Sequence, residues 1–463
     1  MEDLEKTRLF ETLPLPRAVA TLALPTILSS LVMVLYNLAD TYFVGMLGDP
    51  VQNAAVTLAS PVLLAFNAVN NLFGTGSSSM MSRAMGRKDF ETVSRSSAFG
   101  FYCALFFSLL FSLLCTVFGA PLLRLLGTDG ATAGATSRYL LWTVCFGAAP
   151  SILNVVLAYL VRAEGGALHA SVGTMSGCLL NMVLDPVFIL PGGLDLGAAG
   201  AGLATFISNC VACGYFFVLL AVKRGRTYVC ISPKKFGFDR EVVSGVLGVG
   251  LPACLQNLLN VTGMTVLNNF AAGYGADAVA AIGIAQKVDL VPVYIAMGFS
   301  QGVMPLIGYN YASGDVRRMK GAFSISLRLL AVFMCLGSAC CYFKAEGLIA
   351  LFMDKPVIVA CGAQFLRGAC LALPFLCTDF LAVGVFQACG MGKNALVFAV
   401  LRKIALEIPA LYILNRLFPL KGLGYAQLCA ELVLAATALV ILARLFKRLE
   451  AAPNKKPGGN SEC

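Results

Sequence analysis

Long apolar runs separated by short polar gaps set the pattern of this chain. The runs fall at residues 18–46, 54–81, 97–118, 139–161, 168–190, 197–222, 242–272, 279–308, 322–343, 363–388, 395–414 and 423–446. A helix that crosses a bilayer needs roughly 20 mainly apolar residues. These runs are long and continuous, unlike the alternating ten-residue strands of a membrane barrel. They therefore predict about twelve membrane-spanning α-helices, each satisfying its backbone polar groups internally. The gaps are too short to hold a separate soluble domain.

The same long pattern occurs twice. Leu24-Pro25, Gly48 and residues 84–89 answer to Leu251-Pro252, Gly275 and residues 311–315, at an offset of about 227 residues. Pro150, Gly165 and Gly202-Leu203-Ala204 match Pro374, Gly390 and Gly424-Tyr425-Ala426 at slightly smaller offsets. Six spans separate the copies, so both begin on one side of the bilayer and form parallel repeats. The expected organisation is an amino-terminal six-helix lobe over 1–222, a basic cytoplasmic linker over 223–240, a second six-helix lobe over 241–446 and a disordered tail over 447–463. Two such pseudo-symmetric bundles, V-shaped with a cavity between them, suit a protein that presents one site to alternate sides of a membrane.

Composition excludes a water-soluble globule: 58% of residues are hydrophobic, 13% are charged, and the mean hydropathy is +0.81. Residues 1–17 mix Glu2, Asp3, Glu5 and Glu11 with Lys6, Arg8 and Arg17, unlike a cleavable signal. Most of the 34 Lys and Arg lie in the gaps that a cytoplasmic amino terminus places inside, richest at 83–95, 223–240, 317–320 and 444–456. The net charge of +10 is thus topological, and no nucleic-acid partner is expected. The expected setting is the cytoplasmic (inner) membrane, multi-pass, with both termini in the cytoplasm and the protein a monomer. Seventeen cysteines lie mainly in apolar runs; Cys210 and Cys213 form a lone C-x-x-C, and His169 is the single histidine. Reduced packing cysteines fit this pattern better than zinc or redox chemistry. Gly74, Gly76 and Ser77 to Ser79 read as a surface for close helix packing and not as a phosphate loop.

Ionisable residues inside the runs carry most of the chemistry, because a charge at bilayer depth costs several kcal/mol and usually faces a cavity. They are Asp40, Asp185, Lys287, Asp289, Asp379 and Glu407. Asn181 and Asp185 are four apart, hence on one helix face. Both Asp40 and Asp185 fall in the outer half of their spans, Thr205 reaches a similar depth, and Asn154 lies nearer the midplane. Two carboxylates, two amides and a hydroxyl form an all-oxygen set that can hold Na⁺ or share a proton, since burial beside a second carboxylate favours a neutral carboxyl. No other cofactor is expected. In the second half Leu267 stands opposite Asp40 and Asp379 opposite Asn154. Lys287 with Asp289 or Asp379 reads either as a neutralising pair or as a substrate contact; Glu407 beside Pro409 lines the cavity or satisfies the bend. Pro25 interrupts the first run ahead of Asp40 and is the expected functional hinge.

At this point the residues resemble the multidrug and toxic compound extrusion (MATE) family. The resemblance rests on Leu24-Pro25, Tyr36-Asn37, Ala39-Asp40-Thr41-Tyr42-Phe43-Val44-Gly45, residues 181–186, 197–205, 305–311 and 402–412, and it covers residues 10 to 446. Membership implies twelve helices in two lobes and antiport of small organic, often cationic, compounds against Na⁺ or H⁺, a transport activity and not an enzymatic one. Within the family the chain is most similar to the DinF/MepA-like branch, which places the cation site in the first lobe at Asp40, Asn154, Asn181, Asp185 and Thr205. The substrate cavity is expected at Tyr36, Asn37, Gln256, Asn260, Lys287, Asp289, Asp379 and Glu407. Asn260 stands where the NorM-like branch has a glutamate. Lipid-linked flipping is the alternative, and Lys287 is the single clear mid-span cation available for it.

Overall fold

The structure, a computed structural model, describes residues 7–353 and 355–451. The apolar runs of the first half fold as α1 (Leu15–Met46), α2 (Pro50–Gly86), α3 (Phe90–Val117), α4 (Ala133–Phe146 with Ala148–Ala163), α5 (Ala167–Ile189) and α6 (Ala198–Val222). The second half gives α7 (Arg240–Ala272), α8 (Ala276–Ser313), α9 (Val316–Phe343) and α10 (Pro356–Cys370 with Leu373–Ala388). There follow α11, built from Gly392–Val400, Leu401–Glu407 and Ile408–Leu417, and α12 (Ala426–Ala451). Among the described residues nine helices are long and apolar enough to cross a membrane, and eleven when α4 and α10 each count as one bent span. The remaining run, α11, is interrupted by Lys393, Arg402, Lys403, Glu407 and Arg416. The molecule is an all-α, multi-pass membrane protein.

The duplication is visible in the backbone. The repeat-equivalent spans α4 and α10 bend by 50° and 49°. Each second half carries a proline in its first turn, Pro150 and Pro374, where a missing N–H leaves no helical bond unmade. Gly48 and Gly275 close α1 and α7 at φ of +61° and +96°, a region that penalises any Cβ. Asp89 and Asp315 are equivalent N-caps: the Thr92 N–H donates to Asp89 Oδ1 at 3.0 Å, and the Arg318 N–H donates to Asp315 Oδ1 at 2.8 Å. Each cap contributes about 1 kcal/mol.

Contacts divide the chain into two compact units, Leu28–Cys254 and Arg8–Ile27 with Leu255 onward. The first and seventh helices change unit at equivalent points, two residues beyond Pro25 and Pro252. In the first unit small residues bring helices close. A Cβ on Gly74 would strike the Tyr159 ring, and one on Gly76 the Val246 carbonyl. In the second unit the chain ahead of α1 is held by Arg318, whose Nε donates to the Phe10 carbonyl at 2.6 Å and Nη2 to that of Leu13 at 2.7 Å. Phe10 stacks on Tyr309, and the Tyr309 hydroxyl donates to Glu11 at 2.6 Å. α12 runs on to Ala451, past the expected start of a disordered tail at 447, because Leu442 and Phe446 still bury an apolar face. Residues 452–463 lie outside the described residues.

Candidate functional site

Within the first unit, small residues place α5 directly against α6. A Cβ on Gly177 would lie 3.0 Å from the Ala212 Cβ and 3.2 Å from the Ser208 carbonyl, while Gly173 and Gly200 leave room for Phe216 and the Phe188 carbonyl. One turn beyond Gly177 this approach sets Asn181 beside Thr205. Gly177→Leu should therefore push the two helices apart and cost about 1–3 kcal/mol by overpacking. Thermal unfolding of purified protein in detergent reads this, and an unchanged midpoint would contradict the packing account.

Asp185 is wholly buried and Asn181 is 2% exposed, one turn before it on the same face of α5. The Asn181 amide is oriented by its neighbours. Its oxygen accepts from the Thr205 N–H at 3.0 Å and the Thr205 hydroxyl at 3.3 Å, and its NH₂ donates to Asp185 Oδ2 at 2.9 Å. The opposite orientation would turn NH₂ onto the Thr205 N–H, donor against donor. Asp40 is half-buried on α1 and lies within electrostatic reach of Asp185. Tyr36, one turn before Asp40, turns its hydroxyl toward Thr205. Tyr139 of α4, 5% exposed, lies within electrostatic reach of both acids.

The structure thus gathers Asp40, Asp185, Asn181, Thr205 and Tyr36 in one place. All sit within roughly 15 Å of the same ends of α1, α5 and α6, at 1.5 Å rise per residue. Asn154 is bonded elsewhere. Its Nδ2 donates to the Pro150 and Ser151 carbonyls at 2.9 and 3.2 Å and to Asn209 Oδ1 at 2.9 Å, so its amide NH₂ is spent on Asn209 and its own helix. Asn37 is exposed and donates to the Met33 carbonyl on its own helix. Tyr139 and Asn209 were not anticipated. Asn209, four residues after Thr205 on α6, carried a signal; a tyrosine in an apolar run carried none.

The second unit holds a different cluster. Asp379 pairs with Arg402 at 3.2 Å, and Arg402 pairs with Glu431 at 2.7 Å. Asp379 is 2% exposed and Glu431 wholly buried. Lys403 binds both oxygens of Glu407 at 2.7 Å, one turn along α11. These residues sit on a π-helical stretch, Leu401–Glu407, whose extra residue per turn rotates Arg402 toward α10 and α12. The expected Lys287–Asp pair does not form among the described residues. Lys287 and Asp289 are two apart and face different sides of α8, and Arg402 takes Asp379. Asp289 keeps its buried Oδ1 without a hydrogen-bond partner, within electrostatic reach of Cys341 and Cys370. Gln256 accepts from Gln387 at 3.4 Å, and Asn260 is exposed. No disulfide forms among the described cysteines.

Comparison with known proteins gives one consistent result. The MatE family model matches twice, over residues 25–187 and 252–413, repeating the internal duplication. The chain is 32% identical to the multidrug export protein MepA of Staphylococcus saprophyticus over 447 residues, covering 96% of this chain and 97% of that one. Among solved structures it is similar to a MATE in complex with MaL6, with a TM-score of 0.91 and 25% identity over 97% of this chain and 100% of that one. A second solved structure, an outward-facing multidrug resistance MATE transporter, superposes with a TM-score of 0.88 and 26% identity over 97% of this chain and 99% of that one.

Proposed function

The chain belongs to the MatE family, and from that footing we propose that it is a multidrug exporter driven by a cation, H⁺ or Na⁺. The observation that carries this reading is the cluster of Asp40, Asp185, Asn181 and Thr205 inside the first unit. Two acids at one membrane-buried point are costly unless they exchange an ion. Thr205 holds the Asn181 amide, whose NH₂ donates to Asp185 Oδ2, and a proton or, with Asp40, Na⁺ would bind at the Asp185 carboxylate. Asp40 and Asp185 offer carboxylate oxygens, the donors a hard cation requires, and Asn181 and Thr205 orient them. The name of the staphylococcal relatives, multidrug export protein, supports small organic substrates; a cationic or amphipathic compound suits an exporter that trades against a cation. The protein is then a transporter and not an enzyme. The basic clusters favour the cytoplasmic membrane with both termini inside.

Ion binding shifts a conformational equilibrium only if one state binds the ion better. The half-buried Asp40 on α1 meets that condition when α1 moves relative to α5 and α6. Pro25 supplies the weak point, since it cannot donate to the Thr21 carbonyl. In the present structure α1 runs unbroken through it. Substrate contact at Gln256, Asn260, Lys287 and Asp289 belongs to the same proposal. Lipid-linked flipping is less favoured, because the buried cations Arg402 and Lys403 are already engaged by carboxylates and are withdrawn from a pyrophosphate.

Proteoliposomes with proton and sodium gradients imposed separately test this reading. One of the two should drive accumulation of a cationic dye. Dye movement indifferent to both gradients, with tight binding of a lipid-linked precursor, would reverse it.

A further inference from the structure

The groove between the start of α9 and the end of α12 has a polarity gradient that ion exchange does not use. It encloses about 490 Å³. At its mouth lie Lys320, Lys447 and Glu450; Lys320 Nζ reaches Glu450 Oε1 at 2.9 Å, with both side chains about half exposed. Further along, the walls are Leu327, Leu439 and Ala443, over a floor made by the Phe323 and Phe446 rings, 5.7 Å apart and both buried. From Lys320 to Leu327 is seven residues, roughly 10 Å along the helix. Arg317, Arg444 and Arg448 stand exposed on the same helix ends. Among the described residues the acids near these helix ends are Glu450, Asp315, which caps α9, and Glu11, within electrostatic reach of Arg318. A second groove of about 400 Å³, lined by Val62, Phe111, Leu125 and other apolar residues, has no charged residue in its wall. Of these two grooves the α9–α12 one has the charged mouth.

We propose that this groove binds an anionic phospholipid from the leaflet on the basic side of the protein, with its phosphate at Lys320 and Lys447. One acyl chain lies along Leu327 and Leu439. Basic pockets between membrane helices hold acidic headgroups by this combination of charge and apolar wall. The phosphate competes with Glu450 for Lys320, and the positive rim draws it in. The proposal is independent of the transport reading.

Native mass spectrometry of the purified full chain, titrated with phosphatidylglycerol or phosphatidylcholine, tests it. Each lysine near a charged surface contributes about a fivefold gain in binding. Lys320→Gln with Lys447→Gln should weaken phosphatidylglycerol binding about twenty-five-fold and leave phosphatidylcholine binding alone. Glu450→Gln should strengthen phosphatidylglycerol binding several-fold by removing the competitor. Ala443→Phe, which fills the acyl path with the charges untouched, should weaken it. Unchanged phosphatidylglycerol affinity in the double variant overturns the proposal, as does equal loss for both lipids. Should the double variant not fold, unchanged or weaker binding by Glu450→Gln overturns it instead.

Discussion

Asp185→Asn is expected to abolish gradient-driven efflux while leaving the fold in place. The substitution keeps the size of the side chain and a carbonyl oxygen that can still accept from the Asn181 amide at its present 2.9 Å. It removes the negative charge and the site of proton uptake. A ligand shifts a two-state equilibrium only by its difference in affinity between the states, and a nearly complete switch needs about 5.5 kcal/mol. An amide that can neither take up a proton nor balance Na⁺ supplies almost none of that. Transport in proteoliposomes should fall at least about tenfold, to the level of protein-free vesicles, with a thermal unfolding midpoint near that of the parent. Asp40→Asn should have the same effect, because Asp40 and Asp185 share one electrostatic neighbourhood. Wild-type efflux by either variant would remove the proposed site from the mechanism.

The second large effect concerns stability. Arg402 pairs with both Asp379 and Glu431, which are 2% and 0% exposed. Arg402→Ala leaves both carboxylates buried beside each other without that partner, and breaking such a cluster costs about 3–5 kcal/mol. Removing all the charges together costs far less, since neutral side chains have a much smaller desolvation penalty to offset than buried charges. Arg402→Met combined with Asp379→Asn and Glu431→Gln should therefore unfold at a higher temperature than Arg402→Ala alone. Arg402→Lys should fall between, keeping the charge and losing the planar fork that spans two acids. A midpoint for Arg402→Ala equal to the parent's would contradict the assignment.

The membrane helices were legible in the sequence because lipid permits no other reading of long apolar runs. The repeat was legible through its glycines and prolines, which the backbone needs at Gly48, Gly275, Pro150 and Pro374. The first-unit site was legible in part. Asn181 and Asp185 declared themselves by spacing, and Asp40 and Thr205 by depth. Asn154 did not join them because its amide NH₂ is taken by Asn209 and by its own helix, a tertiary choice that spacing does not encode. In the second unit Glu431, an acid inside the run 423–446, meets the same rule as Asp40. Nothing in the spacing of Arg402 along the chain marks it as the partner of Asp379 and Glu431. The π-helical stretch that swings it toward Asp379 leaves no mark in hydropathy. Lys287 and Asp289 looked paired by proximity along the chain, where helical geometry sets them on different faces.

The central claim is that Asp40 and Asp185 together hold the exchanged ion. Ion binding to the purified protein tests it most directly, as equilibrium retention of radioactive Na⁺ together with proton release when a cationic dye is added in weak buffer. The parent protein should show one of these signals, and both Asp40→Asn and Asp185→Asn should lose it while remaining folded. Undiminished ion binding in the two variants would contradict the account.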